Sequence, residues 1–185
     1  FPERGDADTN MDAEGNILCH GGGPVWYMIP TSTYAEYKWL AVKAACELGV
    51  GAVVLEEPEF WTDYGYAEGF REEWVEYYHE PWQPATDSAE AQYKTSKLMH
   101  HLWVSMATTI GQRMEEQFPQ VEFWIAAHST NGYNSAESGI GIISALNGFA
   151  QVPYIDGFIG QTWAGGSYYI PIYYGGTRVQ RFFES

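Results

Sequence analysis

The sequence predicts an α/β protein built on a parallel sheet. Short apolar, β-branched runs alternate with helical patterns along the chain, and connections of this length join parallel strands through crossovers. Polar or aromatic residues stand where these runs end, at the position that active sites occupy in (β/α)8 barrels. We therefore expect about half of a barrel, four βα units, over residues 25–185, preceded by an extended polar segment at residues 1–24.

Four short runs are predicted to be strands, and one of them, Gly51–Glu57, is β-branched and apolar on both faces, as buried parallel strands are. They are Val25–Pro30, Gly51–Glu57, Val121–Ser129 and Gly157–Trp163. A doubly wound open sheet would show the same alternation. However, the chain has no Gly-rich phosphate loop after the first run and no dinucleotide fingerprint, so the barrel is favoured.

Capping patterns predict the helices between these strands. Thr33 with Glu36 forms a capping box for a helix that runs to about Leu48, where Gly49 can end it. A short helix is expected over residues 67–78. Asp87 with Glu90 repeats the capping box, and the helix that follows can continue to residue 118, before Pro119.

The chain is strongly acidic, with 24 Asp and Glu against nine Lys and Arg and a formal net charge of −15. Such a charge opposes binding to nucleic acid or to anionic lipid surfaces. No run approaches the roughly 20 apolar residues of a spanning helix, and the first residues lack signal-peptide character. We expect a mature secreted or extracellular chain without a nucleic-acid or membrane partner.

Glu56, Glu57 and Glu59 stand at the end of the second predicted strand, in the stretch "VVLEEPEFW". Ionised carboxylates next to a core must be paired, hydrogen-bonded or neutralised, so adjacent ones indicate a site. Burial beneath aromatic rings raises the pKa of a carboxyl, which is the property of a general acid. We assign this role to Glu57; structural hydrogen bonding or cation binding by the three glutamates is the alternative.

Further polar and aromatic residues follow the later strands. His128 and Asn131 end or follow the third, and Gln161 and Trp163 end the fourth. Aromatic rings stack on the apolar faces of sugars while carboxylates and amides bind sugar hydroxyls, so carbohydrate is the expected ligand class. The aromatic residues expected to cluster over the strand ends are Trp61, Tyr64, Tyr66, Trp82, Trp163, Tyr168 and Tyr169.

Metal and cysteine patterns are weak. "DADTNMD" has the start of a calcium loop but lacks its glycine and terminal glutamate, and the three glutamates with His128 are a second, minor candidate for a divalent cation. Cys19 and Cys46 form no metal-ligand pattern and could be free or bridged. No cofactor is expected.

Several stretches resemble a family of large, mostly uncharacterised bacterial proteins similar to glycoside hydrolases. They are "LEEPEFW", "FREEWVEYYHEPWQP", "QYKTSKL", "AHSTNGYN" and "DGFIGQTW", and together they cover residues 25 to about 184. The resemblance implies a retaining barrel glycosidase whose acid/base glutamate, here Glu57, ends the fourth strand. Glu56 stands where that clan has asparagine.

By the same resemblance, the four strands are the third to sixth of a barrel, and the nucleophile would end the seventh, which this chain does not include. A retaining mechanism needs two carboxyls about 5–5.5 Å apart. Glu56, Glu59 or another chain would have to supply the second. We therefore expect a glycan hydrolase or a segment of one, with an oligo- or polysaccharide substrate.

The alternative is a non-catalytic carbohydrate-binding or scaffold protein with a degenerate cleft. In either case the rest of its own polypeptide or another chain is expected to cover the open edges of the sheet.

Overall fold

A computed structural model describes residue 5 and residues 7–19, 25–56, 65–128 and 148–161. Within these ranges the chain forms α1 (Ser32–Glu47), β1 (Ala52–Glu56), α2 (Glu68–Tyr78), α3 (Ala89–Gln117), β2 (Glu122–His128) and β3 (Gly157–Gln161). The strands form one open sheet in the order β1-β2-β3, and both pairings are parallel.

The expected half barrel of four βα units is wrong, because the described residues contain a small sheet of three strands. Residues 25–30, the first predicted strand, make isolated antiparallel bridges instead, Thr9 with Met28 and Cys19 with Trp26. The leading segment already occupies the backbone of this run: Ile29 donates its N–H to the carbonyl of Asp8 at 2.7 Å. In the described residues this run therefore pairs with the leading segment and not with the sheet.

The helix boundaries are close to those expected, but the capping residues differ. Thr31, rather than Thr33, caps α1, with its hydroxyl accepting the N–H of Tyr34 at 3.1 Å. Glu36 instead accepts two hydrogen bonds from the guanidinium of Arg113, which ties α1 to α3. Ser88, one residue after Asp87, caps α3 through the N–H of Ala91 at 3.0 Å.

The long helix α3 belongs to two hydrophobic clusters. Its first half packs with α2, where Phe70, Trp74, Leu98, Met99 and Leu102 are buried. Its second half packs with α1 against one face of the sheet, in a cluster that includes Trp39, Met106, Ile110, Phe123 and Ile125. The helices thus cover the sheet face that carries the odd-numbered residues of β1 and β2.

The leading segment is more structured than its composition indicates. Asp8, Thr9 and Asn10 are buried, and Gly69 at the start of α2 donates its N–H to the carbonyl of Ala7 at 2.8 Å. Asp12 closes the turn that follows by accepting the N–H of Asn16 at 2.8 Å. The carboxylate suspected of binding calcium therefore has a structural role in this turn.

Gly111 lies where α3 packs tightly against Phe123 of β2 and against Tyr154. A Cβ at this position would lie 2.6 Å from the Cβ of Tyr154 and 3.2 Å from a ring carbon of Phe123. The Cβ of Tyr154 is fixed to its backbone and cannot move aside by rotating. Only glycine therefore lets the helix approach to this distance.

We predict that Gly111→Ala lowers the free energy of unfolding by about 1–3 kcal/mol, because the added methyl group overpacks this contact. The control is Gly51→Ala, since a Cβ at Gly51 would meet nothing within 4 Å. Urea unfolding of both variants provides the measurement. Equal stability of the Gly111 variant and the wild type would contradict the close packing described for α3.

Candidate functional site at the carboxyl edge of the sheet

The parallel pairing brings the ends of all three strands to one edge. Glu56 is the last residue of β1 and lies level with Ala126 in β2. Two residues further along β2, His128 is the register partner of Gln161, the last residue of β3. Three of the predicted site positions therefore lie at the same edge.

Strand alternation also assigns these three positions to one face. Val53, Leu55, Phe123 and Ile125 belong to the core with α1 and α3, so the even-numbered positions of β1 and β2 lie on the opposite face. Glu56 is exposed on this second face, and positions 128 and 161 belong to it by their register. We call the face defined by residues 54, 56, 122, 124, 126 and 159 the open face.

The remaining predicted site residues lie outside the described residues. They are Glu57, Glu59, Trp61, Asn131 and Trp163. Of the expected aromatic cluster, Tyr66 and Trp82 are described, with ring centroids 5.4 Å apart. The guanidinium of Arg71 lies 4.4 Å from the Trp82 ring, so these two aromatics pack beside α2.

Trp124 is the prominent side chain on the open face, and the sequence interpretation missed it. Its indole N–H donates to Oε2 of Glu122 at 2.9 Å, and its benzene ring lies over Gly157. A Cβ on Gly157 would lie 2.8 Å from two carbons of that ring, so a side chain there would displace it. The alternation in "EFWIAAH" puts Trp124 in step with His128, and this signal could have identified it.

Metal-binding geometry is not found in the described part of the chain, where no three His, Cys, Asp or Glu side chains are grouped so as to hold an ion. Glu57 and Glu59, the suspected cation ligands, lie outside it. Cys19 and Cys46 are free thiols, and burial raises the pKa of Cys46. None of the described helices has an apolar stretch long enough to cross a bilayer.

A second group of carboxylates is formed by Glu73, Glu72 and Glu76 of α2 with Asp8. Glu73 of α2 accepts the N–H of Ser32 at 3.2 Å. Its partial burial raises the pKa of this carboxyl, the Ser32 hydrogen bond opposes the shift, and the charges of Glu76, Asp8 and Glu72 add to it. This carboxylate joins two helices, and its ionisation weakens the fold.

None of the protein-family models, curated proteins or solved structures compared with the chain matches it. The resemblance to glycoside-hydrolase-like proteins therefore remains a prediction.

Glu73→Gln is expected to raise the free energy of unfolding at pH 7 by less than about 1 kcal/mol, because the amide oxygen can still accept from Ser32 without carrying charge. The folded-state pKa of Glu73 lies above its unfolded value, so the advantage of the variant grows as pH rises through that interval. The advantage vanishes below the unfolded pKa, where the Glu73 carboxyl of the wild type is protonated in both the folded and the unfolded state. Thermal unfolding from pH 3.5 to 7.5 tests this, with exposed Glu115→Gln as control, and an advantage that persists at the acidic limit would refute it.

Proposed function

We propose that this chain carries part of a glycan-hydrolysing site at the carboxyl edge of its parallel sheet, with Glu57 as general acid/base. The supporting observation is the strand register. It sets Glu56 and the paired positions His128 and Gln161 at one edge and on one face. Glu57 directly follows Glu56 in the chain.

The chemistry of the proposed site follows from its residue types. Glycoside hydrolysis needs a carboxylic acid that protonates the leaving-group oxygen and a second carboxylate that acts as nucleophile or activates water. Glu57 donates the proton, and the second carboxylate comes from Glu56, Glu59 or the polypeptide that covers the sheet edges. His128, Asn131 and Gln161 offer hydrogen bonds to sugar hydroxyls, and Trp61 and Trp163 offer stacking surfaces.

The net charge of −15 is consistent with a neutral substrate. Anionic polymers would be repelled by a chain of this charge, and more so at an edge where glutamates are adjacent. A neutral oligo- or polysaccharide is therefore the substrate class that we propose.

Glu57→Gln should lower turnover of aryl glycosides and oligosaccharides by a factor of about 10²–10⁴, because the amide cannot transfer a proton in the transition state. The alkaline limb of the kcat/KM profile should disappear with it. Reducing-sugar release over a pH series measures both effects, with exposed Glu47→Gln on α1 as the matched control. Unchanged turnover would exclude Glu57 as acid/base, and binding of oligosaccharide without product release by the wild type would favour a carbohydrate-binding protein.

A further inference from the structure

The open face presents an aromatic ring between two carboxylates. Trp124 lies between Val54 and Gly157 in register, and its ring is set over Gly157. Glu122 precedes it by two residues on β2, and Glu56 lies level with the residue two positions after it. At about 3.3 Å per residue, the backbone positions of Glu122 and Glu56 lie roughly 6–7 Å before and after that of Trp124 along the strands.

The indole is held in place before any ligand arrives. The hydrogen bond from its N–H to Glu122 fixes one edge of the ring, and the absence of a side chain at Gly157 lets the ring approach the sheet. A ring fixed in this way loses little conformational entropy when a ligand stacks on it. Trp124 is half-buried and Ala126 is buried, whereas its neighbours Val54 and Ile159 are 44% and 40% exposed, so the accessible part of this face lies beside the indole.

From this geometry we infer that Trp124 is a stacking platform for a neutral sugar ring, with Glu56 and Glu122 as acceptors for the hydroxyls of the same ligand. The inference deepens the proposed function and rests on it, because it names a surface of the sheet that binds the same class of glycan. An aromatic face binds the apolar C–H surface of a pyranose, and flanking carboxylates accept hydrogen bonds from its equatorial hydroxyls.

A second copy of the chain is a poorer occupant of this face. Each copy would bring a net charge of −15, and contact between two open faces would desolvate Glu56 and Glu122. A neutral polyhydroxylated ligand avoids both costs, since its hydroxyls replace the water around the carboxylates. The negative charge of this face therefore favours a neutral glycan over a second copy of the chain.

The test is the binding of cellohexaose, xylohexaose and mannohexaose to the full chain, measured by titration calorimetry. Trp124→Ala should weaken the binding of the best of these probes roughly tenfold, while Trp124→Phe, which keeps a stacking face, should stay within about threefold of the wild type. Trp26→Ala is the control, because Trp26 is a tryptophan that is 50% exposed and lies outside the sheet. Unfolding curves of all three variants establish that they are folded.

Equal affinity of Trp124→Ala and the wild type would overturn the inference, and so would the absence of binding to every probe. Conversion of a wild-type dimer to a monomer by Trp124→Ala, seen by light scattering, would also overturn it and assign the face to a second copy. The proposed function fails separately, through unchanged turnover of Glu57→Gln. If Trp124→Ala loses binding while Glu57→Gln keeps its turnover, the open face binds glycan but Glu57 is not the acid/base.

Discussion

The fold depends on the packing of α3 against two partners at once. At 29 residues the helix is about 43 Å long, enough for α2 to pack on its first half and the sheet on its second. Each large side chain fully buried along it contributes about 1.5–3 kcal/mol of hydrophobic stabilisation, and Met99, Met106 and Ile110 are at most 2% exposed. A single rigid helix therefore fixes α2, α1 and the sheet relative to one another.

Among the described residues, the helices cover one face of the sheet and leave the other, on which Val54 and Ile159 are exposed and Ala126 is buried, without a helix. Phe123 and Ile125 are committed to the helices, so the intervening Trp124 and its neighbours Glu56 and Glu122 face the other way. Parallel sheets are commonly covered on both faces. Here the second face carries carboxylates and an indole held by a hydrogen bond, a surface suited to a polar ligand with apolar patches.

Particular residues show what the sequence could and could not predict. Gly49 and Pro119 follow the ends of α1 and α3, because glycine and proline act locally on the backbone. The run before Glu56 forms a strand because its β-branched side chains favour extended backbone, which is also a local effect. The burial of Asp8, Thr9 and Asn10 could not be predicted, since it depends on hydrogen bonds that Asp8 and Asn10 make with residues 27–29 and Gly65. The barrel was wrong because alternation of strands and helices predicts parallel pairing but not strand number.

The strand ends were predicted in part. The strand patterns placed Glu56 and His128 at or next to strand ends, but it takes the register between strands to align His128 with Gln161 and Glu56 with Ala126. Trp124 was missed because only residues at the strand ends were considered as site candidates, and it lies within β2. Only the positions of α1 and α3 reveal which face the helices leave open.

The most direct test of this account is hydroxyl-radical footprinting of the sheet in solution, with oxidation of each residue followed by mass spectrometry. If α3 and α1 cover one face alone, Val54 and Ile159 should be oxidised well before Ile125, which is completely buried. Protection of Val54 and Ile159 equal to that of Ile125 would mean that the face is covered, and would contradict the account.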